Sequence, residues 1–379
     1  MALRTPLYAA HLAANARMVE FAGWDMPVQY KGVLEEHACV RERVGLFDVS
    51  HMGEVTIEGP RALEAAQRLV TNDLTKCADG QAQYSALLDE RGFVIDDIIV
   101  YRHAADRLFI CVNATGREKD FAWMKEQCAA FGSGAVVTQR SDDFAQIAIQ
   151  GPLAAALVDS LCAPKVLDLA YYHFRAGVTV AGLPGCLVAR TGYTGEDGYE
   201  IFCTPEQAPK LWAALLEHGA ASGVQPCGLG ARDSLRLEVA YRLYGNDMDD
   251  AHTPLEAGLG WIVKLDKPGG FIGCEALKAQ KAAGLTRKLV GFKVTGKGIA
   301  RHGYPVRAAG GAEHIGVVTS GTMSPVLKGA VGLAYVPIGL SKEGTAFDVE
   351  IRGKPVAAVV CKTPFVTKEA AKASEKKTP

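Results

Sequence analysis

The chain is 379 residues long, with 41 Lys+Arg against 42 Asp+Glu and a formal net charge of −1. Hydrophobic residues make up 49% and charged residues 22%, the balance of a folded globular protein, which excludes wholesale disorder. Near-neutrality gives no general attraction to nucleic acid or to an anionic membrane, and a single core stops growing near roughly 250–300 residues, so two or three domains are expected.

The opening stretch, Met1 to Phe21, carries Arg4, His11 and Arg17 and no continuous apolar segment, so it does not read as a secretory signal. No run approaches the roughly 20 apolar residues of a membrane span, and a cytoplasmic location is expected. Ten cysteines are scattered singly, with no Cys-x-x-Cys pair, and several sit in apolar strings such as Leu108-Phe109-Ile110-Cys111-Val112. They read as reduced, buried thiols.

In chain order, residues 33–45 read as a helix stopped at Gly45, and 44–50 as a strand. Residues 53–60 alternate and end in Gly59-Pro60, and 61–71 form a helix with Leu63, Ala66, Leu69 and Val70 on one face. A meander follows: Tyr84–Leu88, a turn at 89–92, Phe93–Tyr101, a turn near 104–106, and Arg107–Val112, then a helix over about 116–130. A second alternation runs from Phe144 to Gln150, meets Gly151-Pro152 and passes into a helix ending near 161. Strands near 173–190 and 198–203 precede a helix at about 205–221. The strand–Gly-Pro–helix signature thus occurs twice, which suggests two similar α+β units. From about 286 the texture changes to short strands (288–294, 304–307, 314–320, 331–336, 346–352, 355–361) separated by turns, the pattern of a small closing β-barrel or sandwich. The last residues, 368–379, lack large apolar side chains and read as a frayed tail.

Val94-Ile95-Asp96-Asp97-Ile98-Ile99-Val100-Tyr101 is the chemical anomaly: two carboxylates interrupt an apolar strand. Successive strand side chains point to opposite faces, so Asp97 shares a face with Ile99 and Tyr101, and Asp96 with Ile98 and Val100. At least one acid should be forced toward a buried surface, where it costs several kcal/mol unless paired or hydrogen-bonded. The pattern does not choose which, and an edge strand with both acids solvated is the plain alternative. His51, in Asp48-Val49-Ser50-His51, is either a general base or a hydrogen-bonded structural residue. The stretch from Thr191 to Glu200 packs three glycines, two tyrosines and three acids into ten residues. It suits either a ligand-facing loop or a tight hairpin, and its negative charge argues against a phosphate loop. Gly228-Leu229-Gly230-Ala231-Arg232-Asp233 opens a helix running toward Tyr241 but lacks a dinucleotide fingerprint, and its Arg and Asp read equally as a cap and ion pair. No zinc-site or serine-hydrolase motif occurs, so neither metal nor nucleotide is expected.

Taken together, Phe21-Ala22-Gly23-Trp24, Phe47 to Gly53, Val94-Ile95-Asp96-Asp97, Arg190 to Gly198 and Gly228 to Asp233 closely resemble the T-protein family of the glycine cleavage system, the tetrahydrofolate-dependent aminomethyltransferases. The motifs fall in register from about Thr5 to about Phe365 without a large insertion. The resemblance implies an α+β fold of three domains in a cloverleaf around a folate channel: 1–50 with 141–235, 51–140 with 236–280, and a small C-terminal β-barrel over 281–367. It implies transfer of a methylene carbon from the aminomethyl-lipoyl arm of the H-protein to tetrahydrofolate as acceptor substrate, releasing ammonia. By the same resemblance Asp97 is the catalytic acid, and Tyr84, Ile99, Tyr101, Asn113, Tyr193, Glu200 and Arg232 surround the folate. Metal, flavin and nucleotide are not called for. The family's pattern often carries basic residues after the last strand; here 362–368 has no Arg, which leaves Lys368 as the candidate for the folate tail. Two alternatives stand beside this reading: another folate-dependent one-carbon transferase or demethylase on the same fold, among which the sarcosine and dimethylglycine enzymes attach a flavin domain whose Gly-rich fingerprint is lacking here, and a folate-binding iron–sulfur assembly factor, whose Lys-Gly-Cys-Tyr motif is absent.

Overall fold

The computed structural model describes residues 2–367; the tail from 368 to 379, with Lys368, lies outside the described residues. The described chain divides into two compact units, residues 2–87, 96–232 and 266–271 in the first and 88–95, 233–265 and 272–367 in the second.

The first unit is built on antiparallel sheet. One seven-stranded sheet runs in the order Cys162–Ala163, Phe174–Val180, Leu183–Ala189, Gly198–Cys203, Ala145–Gln150, Gly45–Asp48, Gln225–Pro226. Its apolar face, with Leu46, Ile147, Ile149, Val188 and Ile201, is covered by Leu157 and Val158 of the helix Ala154–Leu161 and by Leu211, Trp212 and Leu215 of Ala208–His218. Burying one such side chain contributes roughly 1.5–3 kcal/mol, so this layer is the main source of the unit's stability. A five-stranded sheet runs in the order Gln81–Leu88, Val94–Ala104, Arg107–Val112, Gly53–Glu58, Val136–Gln139. The acid-bearing strand Val94–Ala104 therefore lies between two neighbours, which rules out the edge-strand alternative for Asp96 and Asp97.

The repeated signature has a structural counterpart. Gly59 and Gly151 both take positive φ, +104° and +136°, directly after their strands and before the helices Ala62–Leu69 and Ala154–Leu161. At Gly151 a Cβ would stand 2.2 Å from the carbonyl oxygen of Arg43, so glycine is required both by backbone conformation and by close approach.

The second unit carries the closed barrel, in the order Arg287–Val294, Gly329–Pro337, His314–Ser324, Pro305–Ala308, Ala346–Ile351, Lys354–Cys361, with the last strand pairing back onto the first. Closure removes exposed strand edges, and Val290, Phe292, Val318, Phe347, Val349 and Val360 fill the interior. Beside it, the buried Arg236 guanidinium donates to Asp247 Oδ2 (2.5 Å) and to Ser320 Oγ (2.7 Å). The ten cysteines are free thiols, nine buried and Cys361 half-buried. Among the described residues no helix is long and apolar enough to cross a membrane.

Candidate active site

The strand Val94–Ala104 alternates as its sequence requires. Asp96 is fully buried with Ile98 and Val100, while Asp97 and Ile99 are half-buried on the opposite face. Both acids are engaged. Tyr84, on the neighbouring strand Gln81–Leu88, donates its phenol to Asp97 Oδ2 at 2.8 Å. Asn113, just past the strand Arg107–Val112, donates from Nδ2 to Asp97 Oδ1 at 3.0 Å, to the Asp97 carbonyl at 3.1 Å and to Asp96 Oδ1 at 2.8 Å. One amide group thus ties the two acids together. Burial, followed by repulsion from Asp96, raises the Asp97 carboxyl to about 7, against the opposing donors Tyr84 and Asn113. A carboxyl poised near neutrality can take and return a proton at working pH.

A second group of side chains begins one strand turn away. Tyr101 is fully buried, its ring within 5.5–5.7 Å of Phe109, Phe174 and Phe202. Its hydroxyl has no hydrogen-bond partner among the described residues, yet it faces Glu200, whose charge, after burial, raises the phenol further. Glu200, on Gly198–Cys203, is 7% exposed and accepts from Thr191 Oγ1 at 2.5 Å and Gln146 Nε2 at 3.0 Å. Burial raises its pKa, and Thr191, Arg232 and Gln146 oppose the rise. Arg232 stacks its guanidinium 4.8 Å above the Tyr193 ring, and Tyr193 in turn lies within electrostatic reach of Tyr84. The structure therefore brings Tyr84, Asp97 and Asn113 into one hydrogen-bonded group, and Tyr101, Tyr193, Glu200 and Arg232 into a polar and aromatic wall beside it. Ile99 lies on the face of Asp97 and packs with the Tyr101 aromatic cluster.

Residues 190–197 are not a tight hairpin but a long loop between the paired strands Leu183–Ala189 and Gly198–Cys203. Arg190 clamps it shut, donating from Nε and Nη2 to the two Asp197 oxygens at 2.9 and 2.7 Å. The Gln150 side chain runs through the loop, donating to the Thr191 carbonyl and accepting from Thr194 Oγ1, and a Cβ on Gly192 would lie 2.0 Å from its Oε1. That side-chain amide requires glycine at 192 and 198, while Gly195 takes a positive φ of +82°. The cap-and-pair reading of Arg232 and Asp233 is likewise replaced: Asp233 accepts from Arg236 Nε at 2.8 Å, leaving Arg232 to stack on Tyr193.

His51 is 2% exposed, with its ring edge-on to Phe21 at 5.7 Å and its Nδ1 without a partner among the described residues. Burial, and then the Arg232 charge, press its pKa down to about 4, so it stays a neutral imidazole through the physiological range. Sequence reasoning missed three buried polar residues near these groups. Gln146 and Gln150 interrupt an apolar strand, and buried amides in such a run are the signal that would have found them. Asp120 sits in the first turn of Arg117–Phe131, where an acid ordinarily reads as a helix-dipole partner facing solvent, yet it is fully buried. Among the described residues no group of three or more His, Cys, Asp or Glu is arranged to hold a metal ion.

A half-buried acid near neutrality, held by Tyr84 and Asn113, thus stands beside a group of aromatic and hydrogen-bonding side chains. Comparison with known proteins gives the family. Residues 7–267 match the family model of the GCVT N-terminal domain, and residues 287–367 that of the glycine cleavage T-protein C-terminal barrel domain. The chain is 47% identical over 366 residues to the aminomethyltransferase of Desulfitobacterium hafniense (strain DSM 10664 / DCB-2), covering 97% of this chain and 98% of that one. It is 50% identical over 366 residues to the aminomethyltransferase of Bdellovibrio bacteriovorus, covering 96% and 99%. Among solved structures, that of the glycine cleavage system aminomethyltransferase T from Bartonella henselae superposes with a TM-score of 0.89 at 36% identity, over 97% of this chain and 99% of that one. The chain belongs to the glycine cleavage T-protein family, and it is an aminomethyltransferase.

Proposed function

We propose that the acceptor is tetrahydrofolate, that the donor is the aminomethylated lipoyl arm of the H-protein, and that Asp97 is the catalytic acid–base. The observation that carries this reading is the Asp97 carboxyl itself, fixed by Tyr84 and Asn113 and raised to about 7. The reaction joins the donor's methylene carbon to N5 and N10 of the folate, breaking its bonds to sulfur and to nitrogen. The two hydrogens displaced from the folate nitrogens end on the lipoyl thiol and on the ammonia that leaves. A carboxylate beside the attacking amine accepts the first of these and returns it to a leaving group, and its near-neutral pKa suits both halves. Holding the amine in near-attack geometry supplies the remaining acceleration.

Glu200 fits the donor-rich edge of a pterin, since a carboxylate can accept two parallel N–H bonds. Its two oxygens each already accept one bond, and each keeps further lone-pair capacity. Tyr101, Tyr193 and Ile99 supply flat apolar contact, with Arg232 backing Tyr193. Partition of the strands between the seven-stranded sheet, the five-stranded sheet and the barrel supports separate units over 1–50 with 141–235, over 51–140 and over 281–367, whereas 236–280 carries no strand of these sheets and falls mostly in the unit of the barrel. The direct test incubates the protein with aminomethylated H-protein and tetrahydrofolate and measures ammonia and 5,10-methylenetetrahydrofolate. Both should appear in equal amounts; tetrahydrofolate binding without either product would refute the assignment.

A further inference from the structure

Behind Asp97 lies an acid pair that the proposed chemistry does not touch. Asp96 and Asp120 are both fully buried, and they meet over Gly116. A Cβ on that glycine would stand 2.1 Å from Asp120 Oδ2 and 2.7 Å from Asp96 Oδ2. The surroundings of the two acids differ sharply. Asp96 Oδ1 accepts from the Asp97 backbone N–H (3.0 Å) and from Asn113 Nδ2 (2.8 Å), and its Oδ2 from the Asn113 backbone N–H (3.0 Å). Neither Asp120 oxygen receives a hydrogen bond from an N–H or O–H group among the described residues. Lys119 Nζ approaches Asp120 Oδ1 only to 3.8 Å and is 46% exposed. The charged groups facing the pair are thus Lys119 and, across Asp96, Asp97 with its partner Tyr84.

Two carboxyl groups in contact in a dry interior do not both ionise, because each charge disfavours the other and no water screens them. The proton goes to the member with fewer donors. Asp96 has three N–H donors stabilising its anion, and Asp120 has none, so the proton resides on Asp120 and is donated to Asp96.

We propose that Asp120 is a positioning residue for the transfer reaction: as a neutral acid it hydrogen-bonds Asp96, and the Asp96 carboxylate so locked fixes Asp97 through the Asp97 backbone N–H and through Asn113. This rests on the assignment of Asp97 as the reacting acid. The arrangement has two consequences. Asp97 faces one buried negative charge rather than two, and the amide that orients it is held at both ends. Burial and the Asp96 charge, which push the Asp120 carboxyl to about 11, keep the arrangement intact across the working pH range.

Two substitutions separate a proton donor from mere bulk. Asp120→Leu removes the donor, and Asp120→Asn replaces it with an amide N–H that cannot ionise. D120L should lower kcat by roughly ten- to a hundredfold, the cost of a misdirected reacting group, with little change in the KM for tetrahydrofolate. D120N should recover most of that loss. Independently of turnover, the infrared spectrum of the unmodified protein minus that of D120N at pH 8 should show a protonated-carboxyl C=O stretch, and the same subtraction with Asp97→Asn should not; the subtraction cancels the band of Glu54, another buried acid whose pKa burial raises. This measurement does not depend on D120L folding. Absence of the band from the difference between the unmodified protein and D120N, unchanged kcat in D120L, or equal damage by D120N and D120L would each overturn the proposal. Full activity of D97N with the band behaving as expected would instead overturn the assignment of Asp97 and leave the location of the proton intact.

Discussion

Replacing Asp97 by Asn should abolish turnover and at the same time stabilise the protein, by an amount that depends on pH in a defined way. The Asp97 carboxyl rises from 3.8 to about 7 on folding. Between those values the unfolded chain has released its proton while the folded protein still holds it, so stability falls as pH rises. At about 1.4 kcal/mol per pH unit, the charge costs roughly 4 kcal/mol once pH exceeds 7. Asparagine escapes that cost without leaving a partner empty. Its oxygen can accept from Asn113 Nδ2, and its amide can donate to Tyr84 Oη, which rotates its hydrogen away. The gain in D97N should therefore be near zero at pH 4, grow through pH 5 and 6, and level off above 7 at about 2–4 kcal/mol, after allowance for the weaker neutral hydrogen bonds. Urea unfolding of both proteins at pH 4.5, 6 and 8 reads this directly, alongside product formation from aminomethylated H-protein. A D97N protein less stable than its parent at pH 8, or a stability difference that stays flat with pH, would refute the reasoning about a buried, repelled carboxylate.

Tyr84→Phe removes a donor that holds the Asp97 anion, so its carboxyl should rise further. The acid limb of the kcat/KM profile should move up by about one unit, with activity largely kept at pH 8.5; an unmoved limb would detach Tyr84 from the reacting acid. Lys267→Met should lower stability by about 3 kcal/mol, because the buried ammonium bridges three carbonyl oxygens, those of Gln67, Val70 and Asn72 at 2.5, 2.5 and 2.8 Å. The Asn72 side chain donates to the Tyr84 carbonyl, so turnover should fall together with the melting temperature. Glu200→Ala should weaken tetrahydrofolate binding by calorimetry and lower stability by about 1–3 kcal/mol, since Thr191 and Gln146 are buried and lose their acceptor; unchanged affinity would remove Glu200 from the binding surface.

Elements along the chain are legible in sequence because local geometry governs them. Alternation marked the meander around Asp97, the Gly-Pro breakers marked both strand–helix junctions, and short strands between turns marked the barrel. The loop from Thr191 to Glu200 shows the limit. Its glycines announce close approach, but the approaching group, Gln150, comes from a strand some forty residues earlier, and nothing local names it. Asp120 is plainer still: by position it is an ordinary first-turn acid, and only the packing of its helix over Gly116 puts it against Asp96.

Sequence by itself determined that two adjacent carboxylates would lie on opposite faces of one apolar strand, because the side-chain period of a strand is a property of the backbone. It also determined a near-neutral chain of several domains and, through motifs in register, its family. Which face each acid met, which donors held it and which buried group kept a proton were decided only by the tertiary structure. Desolvation and charge repulsion depend on distances through space, and the partners that set them here, Tyr84, Asn113 and Asp120, come from other elements of the fold.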